Sequence, residues 1–238
     1  MENMKVIWID GQNVFVIRKG TTSNKKIVET TREKIVQTYT FSIKQWELAN
    51  TSEDFQMNDF FALDGSNCLD CPFSVSSGEG GCYTHKFFQY SGMLKMLRSI
   101  KPEELTEMTK EKYREICDMS HNTYVRFGTY GEPSLLPIEL VEAMTLLSGR
   151  WTGYTHQWEK KWANGFSKFF MASTHNQRQS NKARAIDYRS FIATKDGTES
   201  AVGCPASKEM GFKSNCAKCG LCSGTEGKGN KDIKILEH

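Results

Sequence analysis

The sequence lacks any run of about 18 consecutive apolar residues, so we expect no membrane-spanning helix. Its first residues, "MENMKVIWID", contain neither an apolar signal segment nor a small-residue cleavage site, and we therefore expect a cytoplasmic protein. Internal repeats and long linkers are also missing. These absences favour one domain, and 238 residues, 38% of them hydrophobic, suffice to bury a substantial core.

Net charge is scarce as well, because 31 lysines and arginines nearly balance 28 aspartates and glutamates. The resulting charge of +3 does not by itself indicate a nucleic-acid partner, although a nucleotide or nucleic acid stays among the expected partners. Residues 236–238, "LEH", look like the start of an expression tag and are left aside.

Cysteine is abundant, with eight residues in a chain that has no secretion signal. A reducing compartment disfavours disulfides, so clustered thiols there more often bind metal or do redox chemistry. Seven of them form two groups: Cys68, Cys71 and Cys82, then Cys204, Cys216, Cys219 and Cys222. Cys117 stands alone on a predicted helix, where a small buried apolar role is expected.

The first half of the chain is predicted to change from strands to helices. Residues 1–60 are expected to form strands and turns, since "KVIWID" and "KIVQTYTFSI" are rich in β-branched and aromatic residues and "GTTSNKK" is turn-like. Helices are predicted over about residues 84–99 and 102–119, the second starting at Pro102 with Glu103 and Glu104 in its first turn.

The second half alternates between strand and helix patterns. Strands are predicted in "TYVRFGTYG", "WTGYTHQW", "FSKFFMAST" and "RSFIAT", and helices in "PIELVEAMTLLSG" and "QRQSNKARAIDY". Such alternation predicts an α/β fold with a parallel sheet, curved into a partial or complete (β/α) barrel, and about six strands fit the length. The barrel-like domain would span residues 1–203, and residues 204–235 would form a cysteine-rich metal-binding extension packed on it.

Polar residues collect where the predicted strands end. In parallel α/β folds the active site gathers at the carboxyl ends of the strands. The exits carry Arg126, Tyr130, Glu132, Tyr154, His156, Trp158, Ser173, His175 and Asn176. Each of these residues has an ordinary structural role open to it, but together they exceed what packing needs. We expect Arg126, His156 and His175 to bind or orient a substrate, with both cysteine groups on the same face.

The spacing of the second cysteine group favours an iron–sulfur cluster. "CPASKEMGFKSNCAKCGLCSG" contains C-x2-C-x2-C, a compact run typical of cubane clusters, and an upstream Cys204–Pro205 pair that could supply a fourth thiolate. Structural zinc usually takes two separated knuckles, and zinc held by these cysteines is the alternative.

The first group has the spacing C-x2-C-x10-C-x2-H and leaves three assignments open. Zinc would be bound by Cys68, Cys71, Cys82 and His85. An iron–sulfur cluster would use the three cysteines and leave one iron open, where S-adenosylmethionine can chelate. In the third assignment, ligands from both groups share one cluster.

The strings "RFGTYGEP", "GYTHQW", "MAST" and the C-x2-C-x2-C tail resemble a family of uncharacterised phage and mobile-element proteins, which is similar to the radical S-adenosylmethionine barrel enzymes. The resemblance covers about residues 35–225. It implies a [4Fe–4S] cluster on Cys68, Cys71 and Cys82. Radical enzymes usually carry C-x3-C-x2-C with an aromatic residue before the last cysteine, whereas here Tyr83 follows it. The expected cofactor-binding residues are Tyr83, Glu132, Tyr154 and Ser173.

Two functions follow from these patterns. The first is an iron–sulfur-dependent enzyme of phage or mobile-element type, cytoplasmic in a bacterial host, with redox or radical chemistry on a nucleotide or nucleic acid. The second is a zinc-stapled α/β module that binds nucleic acid or a host protein without catalysis. Lysines in the tail would serve phosphate contacts in the second function, but we expect them rather to belong to a solvated, flexible end.

Overall fold

The structure is a computed structural model of the chain. It describes residues 4–22, 24, 27, 34–76, 78, 82, 84–85, 87–211 and 213–236. Tyr83 lies outside the described residues, as do Ser23, Lys25 and Lys26 of the predicted turn "GTTSNKK".

The first five strands form one sheet in sequence order. They are β1 (Met4–Ile9), β2 (Asn13–Thr21), β3 (Lys34–Ser42), β4 (Val125–Tyr130) and β5 (Trp151–Thr152). The three amino-terminal strands pair antiparallel, and β4 and β5 then join parallel to β3. The strands predicted in "KVIWID", "KIVQTYTFSI" and "TYVRFGTYG" are confirmed.

The second sheet is entirely parallel and has the order β6-β7-β8-β10-β9. Its strands are β6 (Tyr154–Thr155), β7 (Met171–Thr174), β8 (Ser190–Thr194), β9 (Val202–Gly203) and β10 (Ile233–Leu236). Only Gly153 separates β5 from β6, so the chain passes directly from one sheet into the other. The expected α/β class is thus present, but a closed barrel is not shown: β1 and β9 each end a sheet among the described strands.

Helices cover the sheets and connect their strands. They are α1 (Ile43–Thr51), α2 (Met57–Ala62), α3 (Gly65–Cys68), α4 (Phe87–Arg98), α5 (Lys110–Ser120), α6 (Ile138–Ser148), α7 (Gln177–Arg184) and α8 (Cys216–Cys219). Short 3-10 helices occupy Pro102–Glu104, Pro133–Leu135 and Lys161–Lys168. Within the described residues, no helix combines the length and apolar character needed to cross a membrane.

Apolar side chains on the two faces of the first sheet build two separate cores. On one face Phe15 and Phe127 pack with Leu140 of α6 and neighbouring residues of α5. On the other face Phe41 packs with α1, α2 and α4, around the fully buried Phe60. Because each strand sends alternate side chains to opposite faces, one sheet can hold both cores.

Several boundaries differ from the sequence prediction. The helix expected from Pro102 begins at Lys110, because Thr109 caps it by accepting a hydrogen bond from the Lys112 amide at 3.2 Å. Residues 43–62 are mostly helical rather than strands and turns, and α1 starts at a capping box between Ser42 and Gln45. The strand expected in "FSKFFMAST" begins only at residue 171, since a 3-10 helix runs up to residue 168.

Gly153 is expected to tolerate no side chain. A Cβ at this position would collide with the ring of Phe170, so Gly153→Ala should lower the free energy of unfolding by about 1–3 kcal/mol. The matched control is Gly92→Ala in α4, where a Cβ meets nothing within 4 Å. Helix propensity predicts that this control raises the free energy of unfolding by about 0.5–1 kcal/mol. Urea unfolding of the three proteins measures both changes, and equal effects would contradict the packing at Gly153.

Candidate metal sites and the cavity between them

The first cysteine group lies at the carboxyl ends of β3 and β4, as expected from the sequence. Cys68 ends α3, and the preceding residue, Asn67, ties this turn to both strands. The Asn67 side-chain NH2 donates to the Thr40 backbone carbonyl at 3.0 Å. The Asn67 backbone carbonyl accepts from the Glu132 backbone N–H at 2.6 Å. The loop that carries the thiols is thereby fixed to the sheet at two points.

The three thiols of this group share one buried environment. Burial raises the pKa of Cys68 well above its usual value, and the nearby Asp64, Cys71 and Cys82 raise it further. Burial also raises the pKa of Cys71 to about 12, and Glu132 adds to this. Thiols in such a place stay protonated at neutral pH unless a cation compensates their charge. A cation placed among these thiols and the two neighbouring carboxylates would therefore offset the cost of ionising the thiols.

The loop after Cys71 brings two of the predicted catalytic residues together. The Phe73 ring lies 4.9 Å from the His175 ring and 5.9 Å from the His156 ring, centroid to centroid. The two imidazoles are nearly parallel, with centroids 6.0 Å apart. The exits of β6 and β7 therefore meet the first cysteine loop, which the sequence reasoning expected.

Glu132 was expected to bind a cofactor, but both of its carboxylate oxygens accept hydrogen bonds from the protein itself. It is 4% exposed, and one carboxylate oxygen accepts from the Ser134 hydroxyl at 2.7 Å while the other accepts from the His156 amide at 3.1 Å. Burial raises its pKa, and these hydrogen bonds oppose the rise. The carboxylate thus joins the exits of β4 and β6, close to the first thiols.

The remaining predicted residues do not join the histidine pair. The Tyr154 ring packs on Phe191 at 4.6 Å, and its hydroxyl hydrogen-bonds to the Cys222 thiol. The Ser173 carbonyl accepts from the Trp158 indole at 3.1 Å. Arg126 lies on the face of the first sheet that α4 covers. The predicted set is therefore divided between several places.

The second cysteine group encloses a very small space. Cys204, Cys216, Cys219 and Cys222 surround about 10 Å³, roughly the room of one water molecule. Two of these cysteines belong to α8, which Asn215 caps by accepting from the Lys218 amide at 3.0 Å and which Gly220 ends in a left-handed conformation. Burial raises the pKa of Cys222, and the other three thiols raise it further.

This second group lies at the opposite end of the strands from the first. Cys216 packs against Ile35 near the start of β3 and against Tyr124, directly before β4. Cys222 packs against the first residues of β7 and β10. The expectation that both groups share one face is therefore wrong. The reason is β10, which the sequence reasoning missed: a segment that leads into a parallel strand must lie at the amino end of the sheet.

A cavity of about 510 Å³ lies against the first sheet, and its lining includes Thr84 next to the first cysteine group. It is lined by Arg18, Thr21, Thr22, Asn24, Gln37, Tyr39, Thr84, Gln89, Gly92, Met93, Met96, Arg126 and Thr129. The Thr84 hydroxyl is 3.0 Å from the Cys82 sulfur. On the other side, Arg126 pairs in register with Thr152, which lines the second group. The sequence analysis did not identify Arg18, because it searched for polar residues at the carboxyl ends of strands and Arg18 lies within β2.

The side chains of the two cysteine groups do not form a metal-coordinating arrangement among the described residues. In the described part of the chain, no three His, Cys, Asp or Glu side chains are arranged to hold a metal ion. His85, the fourth zinc ligand of one alternative, packs its ring 4.1 Å from the Phe61 ring, centroid to centroid. Cys117 is half-buried on α5. The two groups are therefore candidate sites by their donor sets and burial.

Fold and site together define a mixed α/β chain with two cysteine groups and a polar cavity between them. No protein-family model, no curated protein and no solved structure matches the chain. The resemblance to radical S-adenosylmethionine enzymes accordingly stays a prediction.

His156 should make stability depend on pH. Burial, and then the neighbouring His175, lower its pKa to about 4 from an ordinary 6.5. The unfolded chain therefore binds a proton at higher pH than the folded chain, and stability is lost as the pH falls from about 6.5 towards 4. The loss is on the order of 3 kcal/mol.

Denaturant unfolding at several pH values tests this prediction. His156→Gln should flatten the acid side of the stability profile, whereas His121→Gln, which alters an exposed histidine, should leave it unchanged. An unaltered profile in the His156 variant would show that His156 is not the titrating group.

Proposed function

We propose that the chain is an iron–sulfur-dependent enzyme with redox or radical chemistry, similar to radical S-adenosylmethionine enzymes, and that Cys68, Cys71 and Cys82 hold the cluster. One observation carries the proposal: three half-buried thiols lie near one another beside a 510 Å³ cavity, and Thr84 contacts Cys82 and lines that cavity. A reactive centre needs adjoining space for a substrate, and this group has it.

The donor set suits such a cluster. Thiolates are soft ligands that bind iron–sulfur clusters and zinc in preference to hard cations. Three cysteines leave one iron without a protein thiolate, which is the position where S-adenosylmethionine can bind. The cluster supplies the reactive electrons, and the chain's own residues position the substrate. Arg126 would do so from the cavity, and the His156–His175 pair from the strand exits.

The strand arrangement supports the barrel part of the proposal. From β3 onwards, every neighbouring pair of strands is parallel, in both sheets. Parallel strands with helical crossovers curve in one sense, as a partial (β/α) barrel requires. The cavity lies on the face of β3 and β4 that carries Gln37 and Arg126, which would be the inner face of such a barrel.

A second candidate function is a zinc-stapled binding module. The observation in its favour is the space of about 10 Å³ among the four cysteines of the second group, which suits one ion better than a cubane. Structural zinc takes four cysteines and stabilises the fold without chemistry. In that case the tail would close the second sheet, and the cavity would bind rather than transform its ligand.

Anaerobic purification distinguishes the two functions. We expect brown protein with broad absorbance at the violet end of the visible spectrum and about four iron atoms for a cluster on the first group. Cys71→Ser should remove this iron, because it takes away one of three thiolates. Cys117→Ser is the matched control, since Cys117 belongs to neither group, and it should keep the full iron content.

Elemental analysis supplies the opposing result. Colourless protein with stoichiometric zinc, in the wild type as well as the Cys117 variant, would exclude the redox function and favour the zinc-stapled module. Iron retained at full stoichiometry in Cys71→Ser would show that the ligands lie elsewhere.

A further inference from the structure

We propose that the 510 Å³ cavity binds a phosphate-bearing small molecule of nucleotide size, held by Arg18 and Arg126. This inference rests on the proposed function, since it names the class of substrate that the cavity would present to the first cysteine group. It also assigns a role to Arg18, which lies within β2 and was not among the residues predicted at the carboxyl ends of the strands.

The two arginines are placed by strand register. Arg18 on β2 pairs with Gln37 on β3, and Gln37 pairs in turn with Arg126 on β4. The three side chains therefore form one row across adjacent strands on the face that lines the cavity. Neighbouring strands are about 4.8 Å apart, so the two arginine backbones are separated by roughly 10 Å. Long guanidinium side chains can converge on one group across that distance.

The charge of the lining points to an anion. The lining in the described part of the chain contains two guanidinium groups and no carboxylate. Both arginines are half-buried, so water screens their attraction for a bound anion incompletely. Phosphate fits best, because planar guanidinium groups form paired, charge-assisted hydrogen bonds with its oxygens.

The rest of the lining suits the remainder of a nucleotide. A volume of about 510 Å³ falls within the usual range of small-molecule sites. Gln37 and Gln89 bring side-chain amides to the wall, and Gln37 is held by a 3.4 Å hydrogen bond to Thr129. Met93, Met96 and the aromatic ring of Tyr39 supply apolar surface on which a ring can pack. A nucleotide has an anionic phosphate for the arginines and a flat ring for the apolar wall. A simple dicarboxylate has no such ring and therefore fits this lining less well.

Calorimetric titration of the purified chain tests the proposal with matched probes. Each of the four deoxynucleoside 5′-monophosphates is compared with its own nucleoside, which differs only by the phosphate. We expect at least one nucleotide to bind, with affinity that falls as salt is added, and its nucleoside to bind more weakly by about tenfold or more. Equal binding of nucleotide and nucleoside, or no binding of any nucleotide at millimolar concentration, would overturn the proposal.

Variants assign the binding to the row of residues. Arg18→Gln and Arg126→Gln should each weaken nucleotide binding by about tenfold to a hundredfold, with little effect on the nucleoside. Arg18→Lys keeps the charge and should fall between, which separates lost recognition from lost folding. Arg178→Gln changes an exposed arginine on α7 and should bind as the wild type does. Unchanged affinity in both cavity variants would refute the assignment.

The outcome is independent of the metal test. Nucleotide binding by protein that contains only zinc would support this cavity and reject the iron–sulfur enzyme. Iron-loaded protein without nucleotide binding would reject the cavity's ligand and leave the enzyme proposal standing.

Discussion

Gly153 allows β5 and β6 to follow one another with a single residue between them, so that one short stretch pairs with β4 in the first sheet and with β7 in the second. The ring of Phe170 occupies the space that a side chain at 153 would need. Every later strand is parallel, so segments that follow strands collect at one end and segments that precede them at the other. This constraint places the two cysteine groups at opposite ends with the cavity between them.

The electrostatic environment differs between the two cysteine groups and the cavity. Burial raises the pKa of Cys68, Cys71 and Cys82 in the first group and of Cys222 in the second, and a bound cation would lower these pKa values again. The cavity between them instead presents two guanidinium groups. The described residues thus put the two cysteine groups towards opposite ends of the strands and two arginines in the cavity between them. The Arg18–Gln37–Arg126 row continues in register to Thr152, which lies beside the second cysteine group, so the cavity and that group share one sheet face.

Periodic segments with clear ends were predictable from sequence. The helix from Ile138 ends at Gly149, and the alternation of strand and helix around it gave the parallel arrangement and the meeting of His156 and His175. Strands of two and four residues, β9 and β10, are too short to carry a period. The position of β10 depends on a distant contact instead, because Asp232 accepts from the Ser190 amide at 2.9 Å. The cavity was equally hidden, since only strand register brings Arg18 and Arg126 into one row.

Cys68, Cys71 and Cys82 are proposed to hold a cluster with one open iron beside the cavity, and this assignment underlies the proposed enzyme function. Electron paramagnetic resonance tests it most directly on the reduced, anaerobic protein that carries Cys216→Ser, Cys219→Ser and Cys222→Ser together, because that variant keeps only Cys204 of the four thiols of the second group. The account predicts the signal of a single reduced [4Fe–4S] cluster and a change in that signal when S-adenosylmethionine is added. A fully metal-loaded protein with no such signal, carrying zinc in place of iron, would contradict it.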